Sequence, residues 1–256
     1  MTDTFFRVVI PARYASIRFP GKALAVLCGK PIVQHVYERA AGSAAKEVII
    51  ATDDERIADV ATAFGADVVM TRAYHESGTD RVAEVAQQRR WPEDAIVVNV
   101  QGDAPLIPSD SIDQVATLLA DNESADIATL CCPISDPTQF YDPNVVKVVF
   151  DNAGRALYFS RAAIPAIAHD PKEGSYDSQE ESGPWLHIGL YAYRVGALNQ
   201  LTGIVPCDLE VREKLEQLRA LWLGMEIRVG VAASEHGPDV DTPDDLAAAE
   251  NYAQRM

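Results

Sequence analysis

The chain has 256 residues, 38 acidic against 22 basic, a formal net charge of −16 and a hydrophobic fraction of 48%. That composition fits a soluble globular protein with a substantial core. The charge argues against general nucleic-acid binding or attachment to anionic membranes, and no uninterrupted apolar stretch approaches a membrane span.

In chain order, RVVIPA (7–12) reads as a strand, and Pro31 opens a helical stretch, PIVQHVYERAA. EVIIAT (47–52) is a second strand, DDERIADVATAFG a helix ending at Gly65, and DVVMT (67–71) a third strand. Ser77 and Asp80 in SGTD fit a capping box that starts a helix running toward Gln88. AIVVNV (95–100) is nearly all apolar, as a parallel strand covered on both faces would be. Alternating strands and helices predict an α/β fold with a doubly wound, mostly parallel, Rossmann-like sheet. Such sheets bind ligands beyond the carboxyl ends of their strands. The loop from Arg13 to Lys22 and the QGD of 101–103 both come directly after strands, so they should share that edge.

Past about residue 135 the pattern changes. VVKVVFD and ALYFS suggest two strands joined by a turn containing Gly154, and HIGLYAYR (187–194) a further strand. Between them, AIAHDPKEGSYDSQEESGPW is acidic and poor in apolar residues, which predicts a mobile loop. DLEVREKLEQLRALWLG (208–224) predicts one amphipathic helix with Leu209, Leu215, Leu218 and Trp222 on its apolar stripe. In VDTPDDLAAAENYA, Thr242 is the expected N-cap, with Pro243 at the first helical position and two Asp in the first turn. Cys28, Cys131, Cys132 and Cys207 lack metal-ligand spacing, which suits reduced thiols. The opening MTDTFFRVV has no signal-peptide pattern.

Charge distribution carries more information than net charge. From Thr4 to Tyr37 there is no acidic residue, where a uniform spread would place about five. The window instead holds Arg7, Arg13, Arg18, Lys22 and Lys30. There is no G-x-G-x-x-G after the first strand and no G-x-x-x-x-G-K-[ST], which sets aside dinucleotide oxidoreductases and P-loop NTPases. The first strand leads instead into P-A-R-x-x-S-x-R-x-P-G-K. The small residues Ala12, Ser16 and Gly21 let backbone N–H groups approach phosphate oxygens, and Arg13, Arg18 and Lys22 can balance a triphosphate and its departing pyrophosphate. Asp103, just past a buried strand, reads either as a turn residue or as a ligand-facing carboxylate. Asp241 precedes a good helix start, but with Asp103 it offers two carboxylates to a triphosphate. Mg²⁺ favours that donor set of few protein oxygens plus phosphate.

The ordered blocks IPARYASIRFPGK, ATDDERI, HESGTDR, NVQGD-P, ALYFSRAAIP, HIGLYAYR, REKLEQLRAL and VDTPDDL resemble the 3-deoxy-manno-octulosonate cytidylyltransferase (CMP-Kdo synthetase) family over nearly the whole chain. The resemblance implies a cytoplasmic, Mg²⁺-dependent homodimer that couples CTP to the sugar acid Kdo for lipopolysaccharide or capsule synthesis. It assigns Ala12, Arg13, Ser16, Arg18 and Lys22 to the CTP phosphates. Thr71, Arg72, Ser77, Asp80 and Gln101 would go to the cytidine, and Asp103 and Asp241 to the metal. Arg161, His187, Tyr191, Glu216 and Gln217 would surround the sugar acid, an Arg matching its carboxylate bidentately. It further implies a CTP-binding portion (1–135), a sugar-binding and dimerisation portion (136–235) and a metal-binding return segment (236–256).

Two departures stand out. The family commonly has Q-G-D-E-P, whereas this chain has Ala104 after Asp103, and the loop from Ala166 to Pro184 is more acidic than the family's usual segment. A modified acceptor such as 8-amino-Kdo, or a catalytically weak nucleotide-sugar binding module, are the alternative readings.

Overall fold

A computed structural model describes residues 4–16, 18–166 and 183–255. The acidic loop expected at 166–184 falls almost wholly outside them.

The chain opens with β1 (Phe6–Ala12), whose residues are nearly all buried because helices cover both its faces. A 3₁₀ turn over Lys22–Leu24 and a small hairpin, β2 (Val26–Leu27) with β3 (Lys30–Pro31), lead into α1 (Ile32–Ala41). β4 (Glu47–Thr52) then runs to α2 (Glu55–Ala63), whose N-cap Asp54 accepts a hydrogen bond from the Arg56 N–H. β5 (Asp67–Met70) precedes α3 (Gly78–Gln88), which starts with the expected Ser77–Asp80 capping box. Next come β6 (Ile96–Asn99), α4 (Ser109–Ala120) and β7 (Ile127–Pro133), then the single-turn α5 (Pro137–Tyr141). β8 (Lys147–Phe150) and β9 (Ala156–Ser160) pair antiparallel across a turn where Gly154 has φ 78°. β10 (Trp185–Arg194), α6 (Val195–Thr202), α7 (Asp208–Glu213), α8 (Gln217–Trp222), β11 (Ile227–Val231) and α9 (Pro243–Ala253) complete the described chain.

Nine strands make one mixed sheet with the central order β11-β7-β10-β6-β1-β4-β5, extended from β10 by the β8–β9 hairpin. The main-path strands are parallel except β10, which runs antiparallel to both neighbours. The period of two along each strand sends alternate residues to opposite faces. Val8 and Ile10 join Ile32, Val36, Ile112 and Leu119 on the α1/α4 side. Val9 and Val97 join Val82, Val85, Leu198 and Leu218 on the α3/α6/α8 side. The sheet is therefore sandwiched between helices, with the ends of β1 and β6 together at one edge.

The expected 1–135 portion ends just after β7, yet β10 lies between β6 and β7, so the two main portions share one sheet. The 208–224 stretch is not one helix. Lys214 takes a left-handed conformation (φ 55°, ψ 44°) that ends α7 and turns the chain before α8. Leu215 and Leu218 are buried as the stripe predicts, but Leu209 and Trp222 are exposed.

Candidate active site

The loop after β1 wraps around one carbonyl. Tyr14 O accepts hydrogen bonds from the N–H groups of Ser16 and Gly21, both at 2.9 Å. Gly21 has φ 72°, and an added Cβ would lie 3.0 Å from the Tyr14 ring, so the turn needs glycine. The turn delivers Lys22 to the sheet edge. There its Nζ donates to Asp103 at 2.5 Å and to Asp241 at 2.7 Å, while Arg18 donates to Asp241 at 2.8 Å. Burial alone would lower the Lys22 pKa, but the two carboxylates outweigh it and the net shift is upward. Lys22 is therefore a fixed cation.

Asp103 reaches this point because β6 runs into a loop that presses on β1. A Cβ at Gly102 would come within 2.6 Å of Pro11 O, so only glycine permits the approach. Asp241 arrives from the far end of the chain. The Val240 N–H donates to Asp103 O at 2.8 Å, and α9 begins with a Thr242–Asp245 capping box. Asp239, in the same returning segment, lies near the charges of Asp103, Asp241 and Lys22.

These elements enclose a cavity of about 540 Å³ lined by Ala12, Arg13, Ser16, Arg18, Lys22, Ser77, Gln101, Asp103 and Asp241, among others. Of the residues assigned to CTP, Thr71, Arg72 and Asp80 do not line it. The Thr71 hydroxyl accepts from Arg81. Arg72 and Asp80 line a neighbouring cavity of about 510 Å³ that also contains Ser77 and Glu216. Asp80 is engaged in the α3 cap, its carboxylate accepting from the Ser77 N–H and hydroxyl.

A second cavity, about 770 Å³, adjoins the first through Gln101 and is lined by Ala104, His187, Gly189 and the segment 232–239. Of the five residues assigned to the sugar acid, His187 lines it. Its Nε2 is 3.0 Å from the Thr129 hydroxyl, and burial pushes its pKa down to about 3, so the ring is neutral. Tyr191 packs beside it at 5.3 Å between ring centroids, and its hydroxyl has no hydrogen-bond partner among the described residues. Glu216 is buried, which raises its pKa against hydrogen bonds from Thr79 and Ser77 and the charge of Arg219. Gln217 is buried in α8. The Arg161 guanidinium donates to the carbonyls of Glu213 (2.7 Å) and Pro143 (2.9 Å), an arrangement that braces two loops.

Arg81 and Lys147 are buried cations that escaped the sequence reading. Arg81 lines the first cavity, bonded to Thr71 and paired with Asp53 at 3.4 Å. Lys147, fully buried, donates to three carbonyls, one of them that of Arg161. Hydropathy marks both as surface residues; SGTDR, with Arg directly after the capping box, held the only sequence hint for Arg81.

An α/β sheet whose strand ends carry a cationic cavity beside paired carboxylates is the architecture of a nucleotidyltransferase. Comparison with known proteins narrows that class. A family model described as cytidylyltransferase matches residues 7–227. A 3-deoxy-manno-octulosonate cytidylyltransferase of Thioalkalivibrio sulfidiphilus is 54% identical over 96% of this chain and 97% of its own. Its counterpart in Pseudomonas syringae pv. syringae is 52% identical over 94% and 95%. The solved structure of a CMP:2-keto-3-deoxy-manno-octonic acid synthetase complexed with CTP superposes with a TM-score of 0.88 at 39% identity, covering 98% of this chain and all of that one. The chain belongs to the cytidylyltransferase family.

Proposed function

We propose that this protein couples CTP to 3-deoxy-manno-octulosonate, giving CMP-Kdo and pyrophosphate. The observation that carries the reading is the convergence of Asp103 and Asp241 on the Lys22 ammonium, at the floor of a cavity rimmed by Arg13, Ser16 and Arg18. The 3-deoxy-manno-octulosonate cytidylyltransferases to which the chain is similar, and the CTP complex among its structural relatives, supply the substrate names.

In the reaction, the anomeric C2 hydroxyl of the sugar acid attacks the α-phosphorus. A new P–O bond forms, the hydroxyl loses its proton, and the bond to the β-phosphate breaks. Both substrates are anions, so their repulsion must be offset before they meet. Arg13, Arg18 and Lys22 face the triphosphate and take up the charge that grows on the leaving pyrophosphate. The loop backbone around Ser16 and Gly21 is bent back on Tyr14 and preorganised to approach phosphate oxygens. Asp103 and Asp241 suit a divalent cation, Mg²⁺ in this reading: two hard oxygen donors already meet at one cation, and phosphate oxygens would complete the set. Such an ion would neutralise phosphate charge and lower the pKa of the attacking hydroxyl.

We place the contact of a homodimer in the 136–235 portion, where Tyr141, Leu157, Val205, Val211 and Trp222 are exposed. No helix among the described residues is long and apolar enough to cross a membrane. We place the reaction in the cytoplasm, with CTP.

Incubating the protein with CTP, Mg²⁺ and a panel of 2-keto-3-deoxy sugar acids that includes Kdo and 8-amino-Kdo, then measuring pyrophosphate and the CMP-sugar, tests the reading. Release that needs both CTP and the acid is expected. Absence of release with every acid would overturn it.

A further inference from the structure

The segment that returns Asp241 to the site packs against the one just after Asp103 at two points. The Val240 N–H donates to Asp103 O at 2.8 Å. Three residues earlier, Gly237 packs so closely on Leu106 that an added Cβ would lie 2.6 Å from the Leu106 Cβ. Residues 104 and 239 lie between these two contacts. Both Ala104 and Asp239 line the 770 Å³ cavity next to the phosphate cavity.

We propose that Asp239 supplies, from the opposite segment, the acceptor-facing carboxylate that an alanine at position 104 cannot. The idea rests on the reaction proposed for this protein, with the second cavity as the acceptor site. Three observations give Asp239 this role. First, position 104 contributes only a methyl group to the cavity. Second, no cluster of three metal-ligating side chains is formed among the described residues, so Asp239 does not complete a metal cage with Asp103 and Asp241. Asp239 lines the second cavity and not the first, which leaves the metal position to the other two. Third, none of the described residues lining the second cavity is Lys or Arg. The sugar's own carboxylate is therefore drawn toward the cationic cavity. Its hydroxylated end is left for the second cavity's carboxylates, Glu235 and Asp239, of which Asp239 lies nearer Asp241 along the chain. A carboxylate accepts from hydroxyl or ammonium donors.

The shared cavity makes a specific demand on substitutions. Two carboxylates in one site repel each other. A Glu at 104 should thus work only when Asp239 is gone. Asp239→Ala should raise the KM for the sugar acid on the order of tenfold, as loss of a charged hydrogen bond would, and leave the KM for CTP within about twofold. Ala104→Glu in the otherwise natural chain should also weaken acceptor binding. The double variant Ala104→Glu/Asp239→Ala should recover acceptor KM to within about threefold of the natural protein. Asp239→Asn, nearly isosteric, removes the charge and turns one acceptor oxygen into a donor, so it too should raise the acceptor KM. Calorimetric binding of CTP with Mg²⁺ to each variant checks that the nucleotide site is intact.

An unchanged acceptor KM in Asp239→Ala, or equal losses in CTP–Mg²⁺ binding and acceptor KM, would overturn the assignment while leaving the overall reaction standing. So would failure of the double variant to recover. If the natural protein turns over no sugar acid, the function itself falls, and this role falls with it.

Discussion

Lys22 and Asp103, on loops that extend from different strands, are joined by a 2.5 Å hydrogen bond at the edge of the sheet. The same ammonium reaches Asp241, so one cation separates two carboxylates that would otherwise repel across a partly buried cleft. Local and global features cooperate to hold it there: the left-handed Gly21 aims Lys22, Gly102 admits Asp103, and the last helix returns Asp241.

Lys22→Ala should lower kcat as well as CTP affinity, because charge on the leaving pyrophosphate grows toward the transition state. Loss of such a preorganised partner is worth on the order of 10²-fold in kcat. Separate determination of kcat and the KM for CTP at saturating sugar acid checks this. A raised KM with unchanged kcat would reduce Lys22 to uniform binding.

Asp103→Asn and Asp241→Asn should each cost on the order of 10²-fold in turnover, and the double variant far less than the product of the two, since the carboxylates act as one unit. Mg²⁺ titrations of all three variants are the measurement. Near-natural turnover of either single variant at saturating Mg²⁺ would remove that residue from the site.

Much of this architecture was legible because the signals are local. EVIIAT is β4 to the residue, and the capping boxes of α3 and α9 are written in S-x-x-D and T-x-x-D. The cationic loop was legible as Arg13, Arg18 and Lys22 within a stretch free of acidic residues. The features that stayed hidden are long-range. Nothing in HIGLYAYR shows that β10 enters antiparallel between β6 and β7, because pairing across more than fifty residues leaves no periodic trace. Lys147 and Arg81 look like surface cations until the carbonyls and hydroxyl that hold them are placed. Asp239 resembled a loop residue until the fold placed it in one cavity with Ala104. The break after Glu213 was hidden because a lysine carries the left-handed residue that glycine usually signals.

That break makes a stability prediction. A non-glycine residue in the left-handed region costs about 1–2 kcal/mol, and glycine returns part of the gain as unfolded-state entropy. Lys214→Gly should therefore stabilise the protein by about 0.5–1 kcal/mol. The shift in urea midpoint at constant m-value measures it, and a destabilised variant would show that the Lys214 side chain has a packing role.

His187 gives a pH dependence whose sign can be worked out. The Thr129 hydroxyl donates to the Leu190 carbonyl at 2.8 Å, so it accepts from an Nε2–H of His187, which fixes the neutral tautomer. Burial holds the folded pKa near 3, below the ordinary 6.5. The unfolded chain thus binds a proton more readily, and this contribution to stability is complete above about pH 6.5. It is lost as the pH falls from there toward 3. Between pH 7 and 5 the full shift would remove about 2 kcal/mol; because the ring borders a cavity that water can enter, about 1 kcal/mol is expected. Glu216, whose pKa is raised by burial, contributes in the opposite sense over the acid range, so the test must be a difference. His187→Gln keeps a donor for Thr129 but cannot be protonated. Urea unfolding of both proteins at pH 7 and pH 5 should show the natural protein losing about 1 kcal/mol more than the variant. Equal losses would mean that His187 titrates as freely in the folded protein as in the unfolded chain.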